Sequence, residues 1–298
     1  MKFNDLNIKH KLLFDRFLHL GRHELSAHAF ANIFIWKDLF RIFWVILEDN
    51  LCVFLQDDFG TFMYLPPLGK RQSRALVDSC FQIMDDLNPN QQFSRIENVE
   101  EKDLDLYRGF GYKIVLKSND YVYRRDELAL LAGNRFKSKR WAYNYFIKHY
   151  RFYYHPFAVE DHRHQCLNLC CRWMDNRQKI SDDSVYQYML NDSFSCQRVA
   201  LKQYEELSLL GRLVKVNGKI TGYTFGFELN KDTFCVLFEV TDNSTQGISQ
   251  FIFRELSLEL KDYKYINIMD DSGLENLKKV KLSYHPCRLV PNYIIRRR

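Results

Sequence analysis

The chain has 298 residues, 46% of them hydrophobic and 27% charged, with a formal net charge of +6. That length suits two compact units of roughly 150 residues each, and the composition excludes disordered, collagen-like and disulfide-framework proteins. The most apolar stretch, 30–55, is interrupted by Lys37, Asp38, Arg41, Glu48 and Asp49, so no run reaches the roughly 18 uncharged residues of a membrane-spanning helix.

In chain order, MKFNDLNIKHK lacks the apolar core of a secretory signal, which makes cytoplasmic residence the expectation. Helices are predicted over 8–20 and 25–40. RIFWVILE and LCVFLQD then alternate as strands of a hairpin turning at Asp49 and Asn50, and RQSRALVDSCFQIMDDL has apolar residues at helical spacing. The stretch YKIVLKSNDYVYRRDELALL bridges to a second unit, giving expected domains of 1–130 and 131–298. There, helices are predicted over FKSKRWAYNYFIKHY, 162–177 and 196–209. GRLVKVNGKITGYTFGFEL reads as a hairpin, because Asn217-Gly218 suits a turn whose two central residues need positive φ.

The eight cysteines show no paired framework spacing, so reduced thiols are expected. The dense cluster His162, His164, Cys166, Cys170 and Cys171 has two readings. A helix brings Cys166 and Cys170 onto one face, as a metal site requires, but without Cys-x-x-Cys spacing; equally, thiols at that spacing pack as the buried stripe of a helix. The second is preferred, and no metal ligand is assigned.

The ending carries the chemistry. TFCVLFEVT (233–241), TQGISQFIFRELSLEL (245–260) and YKYINIMD (263–270) read as strand, helix and strand. In this β-α-β unit the turn 242–247, with Gln246 and Gly247, leads into a helix start, whose N–H groups favour an anion such as a donor phosphate. Glu239 and Asp242 fall toward the carboxyl end of one strand, Asp270 and Asp271 toward that of the next, where ligands of open α/β sheets bind. Glu239 and Asp271, with Asp270 beside it, are candidates to orient an amine; Asp271 equally suits a helix N-cap. The basic clusters Arg135, Lys137, Lys139, Arg140 and Lys278, Lys279, Lys281 suit phosphate contacts or a solvated helix face. The aromatic run 141–157 offers stacking faces for a nucleotide, though core packing is the preferred reading.

Several stretches together resemble the bacterial family related to the C-terminal domain of phosphatidylglycerol lysyltransferase, akin to Fem-type aminoacyltransferases. They are HAFANIFIWKD, YLPPLGK, LYRGFGYKI, DYVYRRDELALLAGNRFKSKRWAYNYF, GRLVKVNGKITGYTFGFEL and YINIMDDSGLENLKKVKLSYHP. The resemblance implies an α+β or α/β fold of two tandem GNAT-like domains, each a mixed sheet flanked by helices, with the active site in the second. It implies transfer of an aminoacyl group, from aminoacyl-tRNA, to a lipid headgroup or another small amine or hydroxyl. The donor would be a substrate, with no tightly bound cofactor. The candidate catalytic residues are Glu239, Asp270, Asp271 and Lys281, and the candidate binding residues are Lys139, Arg140, Asn144, Gln246, Gly247, Asn267, Lys278, Ser283 and Tyr284; of these, Lys139, Arg140, Asn144, Asn267, Asp271, Lys281, Ser283 and Tyr284 fall on the family's own motif positions. Departures from the family's pattern stand at Trp141, Met269 and Lys278. Two alternatives keep the fold: an acyl-coenzyme A donor, whose usual loop is reduced here to STQGIS, and an inactive binding or regulatory protein. Any membrane contact is expected to be peripheral, through basic residues such as Arg296–Arg298.

Overall fold

The computed structural model describes residues 2–298. The chain divides into two units, one formed by 1–120, 270–274 and 289–298, the other by 121–269 and 275–288.

Unit 1 begins with β1 (Asn4–Asp5) and α1 (Lys11–Leu18), followed by the short α2 (Phe30–Phe34). The helix expected over 25–40 shrinks to α2 and a 3-10 turn, Ile35–Asp38. Next come β2 (Arg41–Leu47), β3 (Asn50–Gln56), β4 (Thr61–Met63), α3 (Arg74–Leu87), β5 (Ile96–Glu100), α4 (Leu104–Gly109) and the start of β6 (Lys113–Arg124). The β2–β3 turn sits at Glu48 and Asp49, both at positive φ, one residue earlier than the sequence suggests. Ser73 caps α3 by accepting the Leu76 N–H, and Leu76, Val77, Cys80, Phe81 and Met84 form the buried stripe. These side chains pack on Phe43, Phe54, Ile96, Val99 and Ile295 of the sheet.

Unit 2 takes up the end of β6 and continues with α5 (Arg125–Leu130), α6 (Lys137–His149), β7 (Phe152–Pro156), α7 (Val159–Gln178), α8 (Ser184–Lys202), β8 (Leu210–Val216), β9 (Lys219–Asn230), β10 (Thr233–Thr241), α9 (Ile248–Glu259), β11 (Tyr265–Asn267) and α10 (Glu275–Leu282). The last strand, β12 (Arg288–Arg296), returns almost wholly to unit 1 and pairs antiparallel with β5. Division after Asp120 instead of 130 follows from β6, which runs through the boundary, and the return of β12 follows from strand pairing between residues far apart in sequence, such as Asn292 opposite Glu100.

The strand order in unit 1 is β1-β2-β3-β4-β5-β12; in unit 2 it is β6-β11-β10-β9-β8-β7. In unit 2 the β10–β11 pair is parallel, while β6–β11, β9–β10, β8–β9 and β7–β8 are antiparallel. The β8–β9 turn has Asn217 and Gly218 both at positive φ, as their sequence requires. One face of this sheet packs α9 through Phe253 and Leu256 against Phe234 and Val236. The α7 residues Cys166, Leu169 and Cys170 pack in a separate cluster with Leu213, Tyr223 and Val240.

Candidate functional site

The site grows from a mismatch in strand length. β10 and β11 run parallel and in register only from Thr233↔Tyr265 to Cys235↔Asn267. Beyond Cys235, β10 continues to Thr241, whereas the chain after Asn267 turns to the other neighbour: Ile268 N–H donates to the Tyr121 carbonyl and Tyr121 N–H to that of Met269, at 3.0 and 3.1 Å. Asn267, fully buried, drives this turn because its Oδ1 accepts the Met269 N–H at 2.7 Å. Met269 takes φ +62 there. The result is a wedge opening between the carboxyl ends of two parallel strands, the place where open sheets bind ligands.

A bulge aims a carboxyl group into the region. The β9–β10 register jumps from Val236↔Gly226 to Phe238↔Phe225, leaving Leu237 as the extra residue. Side chains alternate along a strand, so one extra residue exchanges the faces of everything after it. Before the bulge Phe234 and Val236 face α9; after it Val240 faces α7, and Thr241 Oγ1 lies 2.7 Å from Ser249 Oγ of α9. Glu239 shares the face of Thr241 and therefore the α9 face, where an unbroken strand would turn it to α7.

Glu239 is open to solvent, yet protein crowds the carboxyl closely enough that lost hydration raises its pKa to about 8. Water there moderates the shift and keeps its upward direction. Tyr284 stands close by: burial and the Glu239 charge raise its phenol far above the usual value, and it is hydrogen-bonded to Gln250. Its ring meets Phe253 edge-on at 5.2 Å. The Lys139 ammonium lies 4.1 Å from the centre of the Tyr284 ring and donates to Ser283 Oγ at 2.7 Å, and burial lowers its pKa. A carboxyl group of raised pKa, a phenol and a cation from β10, the turn after α10 and α6 therefore lie near one another in unit 2. Gln250 escaped the sequence reading, although it shares a helical face with Phe253 and Ser257 at i+3 and i+7, a polar interruption of an apolar stripe.

Other expected residues have different surroundings. The Lys281 ammonium is nearly buried and donates to the carbonyls of Ile268 and Met269, at 2.6 and 3.3 Å, so it pins the end of β11. Arg140 ties down the carbonyls of Leu131 and Gly133 beyond α5. Lys278 is exposed on α10 with Glu275 as its partner, and Asn144 is exposed on α6. Asp270 and Asp271 belong to unit 1, where each accepts an N–H two residues on, from Ser272 and Gly273.

The start of α9 does not resemble an open phosphate cradle. Gly247 has φ +83, and a Cβ there would meet the Ala142 carbonyl oxygen at 2.1 Å. The neighbouring Gln246 N–H already donates to the Tyr150 hydroxyl. Helix α6 thus packs closely on the glycine side of this turn.

The aromatic run divides between the two readings. Phe146 is fully buried, whereas Trp141, Tyr145 and His149 form a ladder along α6 with ring centres 5.5 and 4.0 Å apart, Trp141 being 57% exposed. Cys166 and Cys170 lie in the apolar core of unit 2, with both thiol pKa values raised by burial. Among the described residues, no helix is long and apolar enough to cross a membrane.

Comparison with known proteins agrees with this fold. A conserved protein of unknown function from Bacteroides thetaiotaomicron superposes with a TM-score of 0.87 at 24% identity, covering 99% of each chain. L-PGS from Bacillus licheniformis superposes at 0.63 with 16% identity, over 96% of this chain and 91% of the other. A tandem GNAT protein from the clavulanic acid biosynthesis pathway superposes at 0.50 with 8% identity, over 98% and 97%. No curated protein sequence matches. Residues 19–296 match the family described as "Phosphatidylglycerol lysyltransferase, C-terminal", and the chain belongs to that family, with its tandem GNAT-like fold.

Proposed function

We propose that unit 2 transfers an aminoacyl group from aminoacyl-tRNA to a small hydroxyl or amine acceptor, such as the headgroup of phosphatidylglycerol, with Glu239 as proton acceptor. The observation that carries this reading is the bulge at Leu237, which brings a carboxyl of raised pKa onto the face shared with Tyr284 and Lys139. In the reaction the acceptor oxygen or nitrogen forms a bond to the ester carbonyl carbon, its proton passes to Glu239, and the bond to the tRNA ribose oxygen breaks as that oxygen gains a proton. A general base is most effective with a pKa near the working pH. Tyr284, held by Gln250, lines the same face and feels the Glu239 charge. The backbone edge of β10 beyond Cys235, no longer paired with β11, offers N–H groups for the developing oxyanion.

Two features favour tRNA over coenzyme A as donor. The covered start of α9 leaves poor access for a pyrophosphate. The stretch from Asn134 to Val159 contains no acidic residue but carries Arg135, Lys137, Lys139, Arg140, Lys148 and Arg151, alongside the exposed aromatic ladder. Cations with stacking rings suit a single-stranded acceptor end.

The test incubates the purified chain with a pool of radiolabelled aminoacyl-tRNAs and vesicles containing phosphatidylglycerol, with acetyl-coenzyme A binding followed by calorimetry in parallel. Label moving into the lipid fraction, and not doing so with Glu239→Gln, is the expected result. Coenzyme A binding without any binding of charged tRNA transfers the proposal to an acyl-coenzyme A donor; binding of neither, with no transfer, overturns the enzymatic reading in favour of an inactive scaffold.

A further inference from the structure

Unit 1 holds a side-chain cluster unrelated to the transfer chemistry. His23 and His28 flank the turn before α2, and Glu100 ends β5, 77 residues beyond His23. One donor atom from each of the three can be chosen so that all lie within 4.8 Å of one another. His23 Nδ1 is 2.8 Å from Glu100 Oε2, and the two imidazole rings stack with centres 4.2 Å apart and planes 12° from parallel.

The second shell of contacts orients this donor set. Glu100 Oε1 accepts the backbone N–H groups of Glu24 and Leu25, at 2.6 and 3.4 Å, which fixes the carboxylate and presents Oε2 to His23. His28 is only 4% exposed, and its Nδ1 has no hydrogen-bond partner. A buried polar atom without a partner is costly, and native proteins rarely keep one without a use. The neutral ring carries its proton on one nitrogen, with the Leu25 carbonyl as a neighbour, and keeps a lone pair on the other for a Lewis acid.

From this arrangement we propose that His23, His28 and Glu100 bind one divalent transition-metal ion of the zinc class. Two imidazoles and one carboxylate form a common donor set for Zn²⁺ with a fourth position left open. Bonds of 2.0–2.1 Å put tetrahedral donors about 3.3 Å apart, so binding draws the 4.8 Å cluster together by a small movement of the 23–28 turn. The ion then clasps that turn to the end of β5.

Lys102 is the built-in competitor. Its ammonium lies 2.6 Å from Glu100 Oε2 and also donates to the Arg22 carbonyl at 2.7 Å, while its side chain is 49% exposed. A metal ion arriving at Oε2 displaces this cation, and a half-exposed lysine swings into water easily. Removing the lysine charge therefore strengthens metal binding, whereas it weakens an arrangement held only by ion pairs.

The experiment uses the full chain after treatment with a chelator. Zn²⁺ is titrated by calorimetry, and Co²⁺ is followed by its visible absorption, which reports tetrahedral nitrogen and oxygen ligation without the thiolate charge-transfer band that surface binding at Cys171 or Cys287 would give. One ion per chain is expected, with affinity reduced about tenfold or more in His23→Gln and His28→Gln and increased in Lys102→Met. His23→Gln and Lys102→Met change partly exposed side chains, so they remain informative if His28→Gln does not fold. Absence of one-to-one binding, a thiolate band, or affinity unchanged in His23→Gln and lowered in Lys102→Met each overturns the proposal.

Discussion

At the scale of the residue, the proposed chemistry is tested at Glu239. Its carboxyl carries a pKa raised to about 8 by desolvation, against an ordinary value of 4.5. As a proton acceptor it works only when ionised, so the transfer rate is expected to rise with pH and level off above about 8, where a wild-type pH–rate profile checks it. Glu239→Gln is expected to lower the rate about 100- to 10,000-fold and to remove that rise. Stability changes in the opposite sense. Between the unfolded and folded pKa values the native chain holds a proton that the unfolded chain has lost, so Glu239 subtracts stability as pH climbs from about 4.5 to about 8. Urea midpoints at the two ends of that window are expected to fall further for wild type than for Glu239→Gln. Equal slopes in the two proteins would mean that the carboxyl is well hydrated in the folded chain.

At the scale of the element, the bulge in β10 selects which face Glu239 occupies. The bulge does this by absorbing Leu237, so deleting that residue joins Val236 to Phe238 in the register both already hold against β9, and Glu239 and Thr241 are expected to stay on the α9 face with activity retained in the folded protein, as a transfer assay checks. Leu237→Ala keeps the residue count. It is expected to cost about 2–5 kcal/mol by thermal or urea unfolding and to keep the pH profile; activity lost in a folded deletion variant would show that the bulge does more than set the register of Glu239 against β9. On α6, Trp141→Ala is expected to weaken tRNA binding by about 1–3 kcal/mol without altering the melting temperature, since Trp141 projects into solvent. These features mark the limit of what the sequence discloses. Helical spacing revealed α3, α6 and α9, and Asn217-Gly218 revealed the β8–β9 turn, because those signals are local. The bulge depends on the register against β9, which no run of residues in β10 encodes, so the sequence could single out Glu239 and not the reason it faces α9. The role of Lys281 was hidden likewise, since its partners Ile268 and Met269 are carbonyls brought near by a turn that Asn267 makes.

At the scale of the whole molecule, the division into units depends on pairings remote in sequence. β12 completes the core of unit 1: Ile295 is fully buried in the cluster with Phe43, Phe81, Ile96 and Val99, and Asn292 donates to Asn98 at 2.7 Å beside the paired β5. The core around Cys166 and Cys170, by contrast, is made of unit 2 residues alone, from Phe157 to Val240. A chain lacking 289–298 therefore loses a strand and buried apolar groups worth about 1.5–3 kcal/mol apiece from unit 1, while the cluster of unit 2 keeps every member. The cysteines report the two outcomes separately. In the intact chain Cys287 is exposed, Cys171 half-buried and the other six buried, so a thiol reagent is expected to label Cys287 quickly, Cys171 more slowly and the remainder only on denaturation. In the shortened chain, Cys52 and Cys80, whose sulfurs lie 3.6 Å apart in the core of unit 1, are expected to become reactive while Cys166 and Cys170 stay protected, as peptide mapping of the labelled protein checks. Protection of Cys52 and Cys80 would show that β5 and its helices hold together without β12; exposure of Cys166 and Cys170 along with them would show that the two cores unfold as one, so that the second GNAT-like unit owes its stability to the first.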